Sequence, residues 1–523
     1  MAKNGWDVIV VGAGSSGAPL ATRLAATGRR VLLLEAGPDY RSAEMPEVWR
    51  SPNPIRALTD PDASSKLIWP DLLATRTDKQ EAALYWRGQG TGGSSSINGQ
   101  IAIRPPMEDF TDWVRWGCAG WSPDDVLPFF RRSEDDEQFG DAPYHGRGGP
   151  TPIHRMPRDS WGSADTALRA AALAAGHGWA EDVNAPGAGG VSPYPINSRD
   201  GRRVTVNDGY LEPAREGTTL TIRGGALVDR ILINDGRASG VRYLADGDPV
   251  EERADLVVLS AGAVHSPAVL LRSGIGPASQ LRSLGIDVVA DLPAGQGLQD
   301  HPMVGVAIPL NEQSAIRTPD DRHTNVCVRY TSDGADAQPH DMMFVSLNQN
   351  VLAMENADVR FGAGAFGVWV NQAWSRGSVA LTSADPTVQP EIREAMLSDE
   401  RDRARLRAGI RALVELARGD EAAAISDGSV DRVNATLLSV LDDDALLDDH
   451  LLATAVDAQH ATSTCRMGDP NDPTTVVDPQ CRVLGVDGLR VVDASIFPSV
   501  PRANTNLTAI MTGELMAERI SRA

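Results

Sequence analysis

The chain begins with two short apolar segments separated by a glycine-rich turn and a helical pattern. Residues 6–11 read Trp-Asp-Val-Ile-Val-Val, and the turn Gly12-Ala13-Gly14-Ser15-Ser16-Gly17 follows at once. Apolar residues then recur at helical spacing, and a second apolar segment at 31–34 leads to Glu35. This order of strand, turn, helix and strand predicts a βαβ unit with parallel strands.

A second pattern, in the middle of the chain, predicts a β-meander. Alternating segments at 228–233 and 240–244 flank Asn234-Asp235-Gly236, a sequence typical of a hairpin turn. The apolar strand at 256–259 then runs directly into Ala261-Gly262.

Residues 310–457 show a different pattern. The segment 377–382, with turns at Pro386 and Pro390, suggests an antiparallel sheet. A helix is predicted to begin near Ser398, because acidic residues follow where they suit the positive end of a helix. Its apolar face is predicted to consist of Leu406, Ile410, Leu413, Val414 and Ala417.

Length and charge narrow the class of protein. A chain of 523 residues is several times the usual domain size, so two or more structural units are expected. The net charge of −21, without a basic cluster, argues against nucleic acid or an anionic membrane as partner. No apolar run approaches the roughly 18 residues of a membrane span. Only five residues precede the first strand, so we expect no signal peptide and a cytoplasmic location.

Neither the cysteines nor the acidic runs indicate a metal site. Cys118, Cys327, Cys465 and Cys481 stand far apart without a C-x-x-C pair, so free thiols are expected. The run Asp442-Asp443-Asp444 lacks ligand spacing and is interpreted as a solvated loop. We therefore expect no bound metal.

The N-terminal unit has the pattern of a dinucleotide site. Its glycines allow close approach to a pyrophosphate, and the helix N-terminus presents free N–H groups to that anion. Glu35 stands eighteen residues beyond Gly17, where an acid can bind ribose hydroxyls and would repel a 2′-phosphate. The cofactor-binding residues predicted here are Gly12, Gly14, Ser15, Ser16, Gly17, Glu35 and Ala36. At this point both FAD and NAD remain open.

Four further segments resemble the signatures of the glucose–methanol–choline (GMC) oxidoreductase family, in the family's order. They are the Gly/Ser loop Arg87-Gly88-Gln89-Gly90-Thr91-Gly92-Gly93-Ser94-Ser95-Ser96-Ile97-Asn98-Gly99, the stretch 260–277, Gly297-Leu298-Gln299-Asp300-His301-Pro302, and a C-terminal block containing 460–468, 493–495 and 504–506. The resemblance spans residues 6 to about 516. It implies an FAD-dependent enzyme.

The resemblance also implies the fold, a mixed α/β class with a Rossmann-like FAD-binding domain. That domain is expected to be discontinuous, formed by residues 1–158, 198–308 and 458–523. A substrate-binding domain, built on an antiparallel sheet with helices, is expected at 159–197 and 309–457.

Alcohol oxidation requires a group that accepts the hydroxyl proton, and histidine suits this role near neutral pH. By resemblance, the catalytic histidine of the family corresponds to His460. The family's second catalytic position, histidine or asparagine, corresponds to Asn504, whose amide can bind the alcohol oxygen but cannot replace the base. His301 and His265 also lie in matched segments and are interpreted as structural.

The remaining cofactor contacts are implied by resemblance alone. They are Arg87, Gly92, Gly93, Ser94, Asn98, Val228, Ala261, Asp493, Ala494 and Asn504. Ile97 occupies the position at which some members attach the flavin through histidine, so non-covalent FAD is expected. Ser463 stands where many members have glycine, which predicts a local change of backbone beside the base.

The sequence therefore predicts FAD-dependent oxidation of an alcohol to an aldehyde, by hydride transfer to flavin N5 with His460 as base. Its C-terminal motifs resemble those of bacterial members of the family that oxidise primary, often aromatic, hydroxymethyl compounds. Oxygen or another acceptor would reoxidise the flavin. The alternatives are a hydroxynitrile-lyase-type enzyme on the same fold, an NAD-dependent dehydrogenase and a flavin-binding protein without catalysis. Trp369, Trp374 and Phe361 are interpreted as core residues.

Overall fold

The N-terminal βαβ unit is present as predicted. The computed structural model describes residues 5–58, 60–334, 336–349 and 363–522. Strands Trp6–Val11 and Val31–Leu34 pair in parallel around helix Gly17–Ala26. Gly28 follows this helix with φ +87°, a left-handed conformation that ends a helix easily when the residue has no Cβ.

A seven-stranded sheet contains this unit and the predicted meander. Its spatial order is Leu220–Arg223, Val31–Leu34, Trp6–Val11, Asp248–Leu259, Arg237–Ala245 and Ala226–Asn234, and Leu489–Val491 also pairs with Asp248–Leu259. The second half of strand Asp248–Leu259 pairs in parallel with Trp6–Val11, whereas its first half belongs to the antiparallel meander. The strand thus joins the nucleotide-type sheet to the hairpin, whose turn residues Asp235 and Gly236 both have positive φ.

The second large sheet has six strands and is antiparallel throughout. Its order is Val456–Asp457, Pro302–Pro309, Ala363–Val370, Met342–Leu347, Val326–Tyr330 and Gly190–Pro193. The predicted helix, Glu400–Arg418, covers it with the predicted apolar residues buried, and Asp399 caps the helix. Strand Pro302–Pro309 crosses the expected boundary at 308/309, and the domain boundaries stay a prediction.

The segment at 377–382 lies elsewhere than in this sheet. Strand Gly377–Ala380 belongs to a separate five-stranded sheet in the order Gln296–Leu298, Gly377–Ala380, Glu391–Arg393, Leu73–Thr75 and Ala83–Leu84. Its neighbours are antiparallel, but Glu391–Arg393 pairs in parallel with Leu73–Thr75. Smaller sheets comprise Glu134–Asp136 with Thr151–Arg155 and Pro195–Ile196, and Ser198–Arg199 with Arg202–Arg203.

The described α-helices are Gly17–Ala26, Pro54–Leu58, Pro61–Leu67, Glu108–Arg115, Pro123–Ser133, Ser163–Ala174, Glu212–Ala214, Gly262–Arg272, Ala278–Ser283, Glu400–Arg418, Asp420–Ile425, Val430–Val433, Ala435–Leu438, Asp444–Thr454 and Asn506–Arg522. In the described part of the chain, none combines the length and the apolar character that crossing a bilayer would demand.

All four cysteines are buried free thiols. The run at 442–444 is exposed to solvent as expected. Asp442 and Asp443 lie before helix Asp444–Thr454, and Asp443 caps this helix by accepting N–H groups of its first turn.

The two ends of the chain pack against each other. The Ser16 hydroxyl donates to the carbonyl of Ala509 on the C-terminal helix (2.7 Å), and Ser15 donates to Asn506 (2.8 Å). A Cβ on Gly513 would lie 2.3 Å from the Ser16 carbonyl oxygen, so this contact requires glycine. The glycine-rich turn and the C-terminal block therefore line one site. The mixed α/β fold class is confirmed.

Candidate active site

One large cavity runs between the two main sheets and is bordered by the segments that carry the motifs. Its volume is about 430 Å³, within the usual range of ligand sites. The N-terminal turn, the Gly/Ser loop, the end of strand Asp248–Leu259 and the C-terminal block contribute to one part of its wall. The six-stranded sheet contributes to the other part through Met303, Val345, Leu347 and Trp369.

The two glycine-rich loops, about eighty residues apart in sequence, touch directly. Gly92 N–H donates to the Ala13 carbonyl at 3.0 Å. A Cβ on Gly93 would lie 2.7 Å from the Gly14 Cα atom, which explains why glycine is needed at position 93. Together the loops form a continuous backbone surface along the cavity.

Glu35 connects these loops through its carboxylate. It accepts N–H groups from Ala13 (2.9 Å), Gly37 (3.0 Å) and Gly90 (2.9 Å) and is buried at the cavity wall. Burial raises the pKa of Glu35, although these N–H donors oppose the shift. The side chain predicted to bind a ribose is therefore also a clamp between three backbone segments.

Most of the predicted cofactor residues line the cavity. These are Gly12, Gly14, Ser15, Ser16, Glu35, Ala36, Arg87, Gly93, Ser94, Asn98, Val228, Ala261, Asp493, Ala494 and Asn504. Gly17 and Gly92 are absent from its wall and act through the backbone. A Cβ on Gly17 would lie 2.0 Å from the Gly12 carbonyl oxygen, and Gly92 has φ +95°.

These residues fit an FAD molecule. No side chain caps helix Gly17–Ala26 at Ser16. Ala18 N–H donates to the Gly14 carbonyl (3.0 Å) and Pro19 has no N–H, so of the first three helical residues only Gly17 has an N–H left for a pyrophosphate at the cavity wall. Glu35 directly follows strand Val31–Leu34 and supplies a carboxylate acceptor for ribose hydroxyls at the cavity wall, which its neighbour Ala36 also lines. Asp493 accepts the N–H of Gly262 at 2.9 Å. This bond orders the N-terminus of helix Gly262–Arg272, the second helix that begins at the cavity.

His460 stands at the junction of the two parts of the cavity wall and is 8% exposed. Its Nε2 accepts a hydrogen bond from the Asn504 amide (3.1 Å), and its Nδ1 lies 2.9 Å from Nδ1 of His301. Since Nε2 is an acceptor, the proton of the neutral ring is on Nδ1 and is donated to His301. This tautomer leaves the Nε2 lone pair directed toward Asn504.

His301 was interpreted from the sequence as structural, and the structure gives it direct contact with His460. Its ring is fully buried, and burial lowers its pKa to about 4, against the effect of the nearby carbonyls of Asn371 and Pro501. A neutral His301 can accept the His460 proton and hold its ring. The motif Asp300-His301-Pro302 was the sequence signal for His301. The spacing of residues along the sequence did not identify the side chain that His301 contacts.

Asp300 positions both histidines through their backbones. Its Oδ1 accepts N–H from His301 (2.7 Å) and from His460 (2.8 Å), and its Oδ2 accepts the Tyr85 hydroxyl (2.8 Å). Burial and the neighbouring Asp457 raise the pKa of Asp300 to about 7, and Arg87 opposes the shift. Sequence reasoning missed this residue, because its partners lie up to 215 positions away.

Asp300 also belongs to a buried group of carboxylates. Among the residues that the structure describes, Asp300, Glu394 and Asp457 form the one acidic, histidine or cysteine group with metal-ligand spacing, with oxygens within 4.8 Å of one another. Arg76 donates to Asp457 at 2.6 Å, and Arg87 lies 3.7 Å from Asp300. These two guanidiniums bring the positive charge that a bound cation would otherwise provide.

The other residues singled out from the sequence fall in several environments. Trp369 lines the cavity with its ring 5.8 Å from that of His460, so it is more than a core residue. Trp374 lies outside the cavity wall under the Arg401 guanidinium. His265 lines the cavity and stacks on Trp69 at 4.1 Å. Phe361 lies outside the described residues.

The two departures from the family signatures are also located. Ile97 is 5% exposed and lines the cavity at the Gly/Ser loop. Ser463 has φ +73°, a left-handed conformation that glycine adopts more easily. Its N–H donates to the Ala494 carbonyl at 3.2 Å, so the strained residue ties the segment after His460 to the 493–495 segment.

The chain is similar to known oxidoreductases over most of its length. Family models described as GMC oxidoreductase match residues 6–303 and 373–513. The chain is 35% identical to 5-(hydroxymethyl)furfural oxidase of Methylovorus sp. (strain MP688), over 98% of both chains. It is 34% identical to mitochondrial choline dehydrogenase of Homo sapiens, covering 98% of this chain and 89% of the relative. The crystal structure of pyridoxine 4-oxidase from Mesorbium loti matches with a TM-score of 0.87 and 29% identity, over 99% of both chains.

Proposed function

The chain belongs to the GMC oxidoreductase family and is an FAD-dependent oxidoreductase acting on CH–OH groups, and on that premise we propose that it oxidises a primary aromatic hydroxymethyl compound to the aldehyde, with His460 as general base. The observation that carries the proposal is the pair His460 and Asn504. Both side chains line the cavity, and the Asn504 amide meets His460 Nε2 at 3.1 Å. An alcohol oxygen that enters there meets a donor and a base together.

Each side chain has one task in this reaction. When bound, FAD supplies the acceptor for the hydride that leaves the alcohol carbon. Asn504 donates to the alcohol oxygen and orients it, while His460 Nε2 accepts the hydroxyl proton. His301 Nδ1 accepts a hydrogen bond from His460 Nδ1–H, which keeps the proton of the neutral His460 ring on Nδ1 and leaves Nε2 as the base. Asp300 holds the backbones of both histidines in this arrangement.

The cavity favours an uncharged alcohol over a quaternary ammonium alcohol such as choline. Of the described residues that line it, only Glu35, Asp457 and Asp493 carry carboxylates. Glu35 is bound by three N–H groups, Asp457 is paired with Arg76, and Asp493 accepts several hydrogen bonds. No carboxylate is thus left for a cationic substrate, whereas Trp369 and Met303 offer an apolar surface beside His460.

The test is anaerobic titration of the purified yellow protein with a panel of alcohols, followed by admission of air. Aromatic primary alcohols should bleach the flavin absorption, and choline should not. Conversion of cyanohydrins without any bleaching would instead support the lyase. Recovery of colour in air distinguishes oxygen from another electron acceptor.

The first prediction is that the FAD is tightly but not covalently bound, because isoleucine at position 97 cannot form the bond that histidine forms. Acid or heat precipitation should release a yellow supernatant with the absorption spectrum of free FAD. Flavin that remained in the washed pellet would contradict this expectation.

The second prediction concerns Glu35→Ala. Because three backbone N–H groups lose a charged acceptor, and each buried N–H left unpaired costs about 1–3 kcal/mol, both FAD content and thermal stability should fall. The measurements are the flavin-to-protein absorbance ratio and the melting temperature. Glu35→Gln, which keeps one oxygen acceptor, should lose less of both. An unchanged ratio in the alanine variant would show that the clamp does not hold the cofactor site.

The third prediction is that His460 remains an active base in mildly acidic solution. Burial, then His301 and Arg87, lower the pKa of His460 well below its usual value of 6.5. With its pKa lowered, His460 stays neutral as the pH falls through 6.5. The rate of flavin reduction should therefore show no inflection from His460 near pH 6.5. Stopped-flow reduction across this range measures it.

Asp300 is the other titratable group against these backbones and supplies the control. Its raised pKa could produce an inflection near neutral pH, because protonation weakens its hold on the two histidine N–H groups. Asp300→Asn should remove such an inflection. Burial, then Asp457 and Asp300, also raise the pKa of the neighbouring Glu394. An inflection near pH 6.5 that persists in both Asp300→Asn and Glu394→Gln would therefore belong to His460 and would contradict the prediction.

A further inference from the structure

The three buried carboxyl groups beside the active site come from different parts of the fold. Asp457 belongs to the edge strand of the six-stranded sheet, and Glu394 directly follows a strand of the five-stranded sheet. Asp300 lies on the segment that connects these two sheets. The three groups have oxygens within 4.8 Å of one another. Asp457 lines the cavity, whereas Asp300 and Glu394 do not, so the group lies directly behind the cavity wall.

The charges of this group do not balance if all three carboxyl groups are ionised. Arg76 donates to Asp457 at 2.6 Å. Arg87 lies 3.7 Å from Asp300. Tyr85, which donates its hydroxyl to Asp300, brings no charge, because burial raises its pKa well above the usual value. Three carboxylates against two guanidiniums leave one negative charge uncompensated in a buried site, and such a charge is costly.

The hydrogen bonds show which of the three groups is not suited to ionisation. Asp300 accepts three hydrogen bonds, two of them from backbone N–H groups. Asp457 accepts the Arg76 guanidinium and the Gln459 N–H (3.0 Å). Glu394 is 2% exposed, and neither of its oxygens accepts a hydrogen bond in the described part of the chain. Since a buried carboxylate without donors is strongly disfavoured, these surroundings suit a neutral acid at Glu394.

Electrostatics act on Glu394 in the same direction. Burial, then Asp457 and Asp300, raise its pKa well above the usual range, and Arg76 and Arg87 oppose the shift. An un-ionised carboxyl group has one O–H donor, which the neighbouring carboxylates can accept. With this proton the group has two negative and two positive charges, and Glu394 attracts the other two acids instead of repelling them.

We propose that Glu394 is a neutral carboxylic acid that donates a hydrogen bond to the Asp300–Asp457 pair and thereby keeps Asp300 ionised. Ionised Asp300 holds the backbone N–H groups of His301 and His460 more strongly than a protonated one would. Glu394 does not line the cavity, so it is a positioning residue that acts on the base through Asp300. This inference rests on the function proposed above, because it takes His460 as the base.

The first measurement is infrared spectroscopy of the holoenzyme at mildly alkaline pH, where Asp300 is ionised, and it requires no substrate. The spectrum of the parent minus that of Glu394→Gln should contain the carbonyl band of an un-ionised carboxylic acid, which shifts in heavy water. Glu391→Gln is the matched control and should lose no such band, because Glu391 is exposed on the strand before Glu394 and pairs with Arg393. If Glu394→Gln loses no band either, Glu394 is ionised and the proposal is wrong.

The second measurement is the pH at which the rate of flavin reduction shows the inflection of Asp300. Glu394→Met has a similar length but no donor, so the inflection should move upward by about 1–2 pH units, because a hydrogen bond to a carboxylate lowers its pKa. Glu394→Gln keeps both a donor and neutrality and should retain the pH of the parent inflection. If Glu394 were ionised, both replacements would remove a negative charge and move the inflection downward.

The outcomes separate this proposal from the proposed function. An unshifted inflection in Glu394→Met, or a downward shift in Glu394→Gln, would overturn the role of Glu394 as a donor. If Glu394→Met does not fold, the infrared band and the inflection of Glu394→Gln still decide. If no alcohol reduces the flavin while Glu394→Gln alone loses the band, the neutral acid stands and the proposed oxidation does not.

Discussion

His460→Ala should slow reduction of the flavin by substrate about 10²–10⁴-fold, the usual contribution of a positioned general base. The side chain accepts a proton that moves during the reaction, so the loss should fall on the reduction rate rather than on cofactor content. Its contacts support this separation, because the side chain bonds Asn504 and His301 and none of the predicted dinucleotide residues of the N-terminal turn. Anaerobic stopped-flow reduction of the holoenzyme measures the effect.

Two further variants sharpen this test. His460→Gln keeps a polar side chain but provides no base, so its reduction rate should also fall strongly. His177→Ala removes a half-buried histidine that contacts Tyr330 and Phe344 and does not line the cavity, and it should reduce flavin like the parent. A parent-like rate in His460→Ala would put the base elsewhere, and His301 would be the next residue to examine.

Asn504→Ala should slow the same step by at most about 10²–10³-fold, the effect of losing one electrostatic donor to the developing alkoxide. The amide is placed for this role, since it donates to His460 Nε2 and its Oδ1 has no partner in the described part of the chain. It accepts no proton, so the loss should be smaller than for His460→Ala. The measurement is again anaerobic reduction at saturating alcohol.

Different replacements at position 504 test whether the lost hydrogen-bond donor is the reason for the slower flavin reduction. Asn504→His restores a donor of the kind that some family members carry, and it should recover much of the reduction rate. Asn504→Asp provides acceptors only and adds a negative charge beside the alkoxide, so it should be at least as slow as alanine. A rate in the aspartate variant equal to that of the parent would show that donation by the amide is unimportant.

The elements that sequence reasoning recovered depend on neighbours in the chain. The βαβ unit follows from apolar spacing and from glycines that act within a few residues, and the hairpin at Asp235-Gly236 follows from a two-residue turn with positive φ. The helix Glu400–Arg418 could be predicted because its apolar residues recur at helical spacing and its first residues are acidic. The sheet that contains the segment at 377–382 was less predictable, since its local pattern suits antiparallel pairing in either sheet.

The site could be predicted only as far as motifs indicate it. His460 and Asn504 were singled out by resemblance, and in the structure the Asn504 amide does hydrogen-bond to His460 Nε2. His301 carried an equally visible motif, yet its role depends on a 2.9 Å contact across 159 positions. Glu35 is predicted to bind ribose, but its bond to Gly90 arises only when the two loops meet.

By itself the sequence determined the family, the FAD chemistry, the N-terminal nucleotide unit and the candidate base, because glycine turns, helix periodicity and ordered signatures are local properties of a chain. Only the tertiary structure decided the His301–His460 pair and the Asp300 bonds that hold both backbones. These features join residues that are distant in sequence. Their geometry arises from the packing of two sheets and of the two chain ends, which no short window of sequence contains.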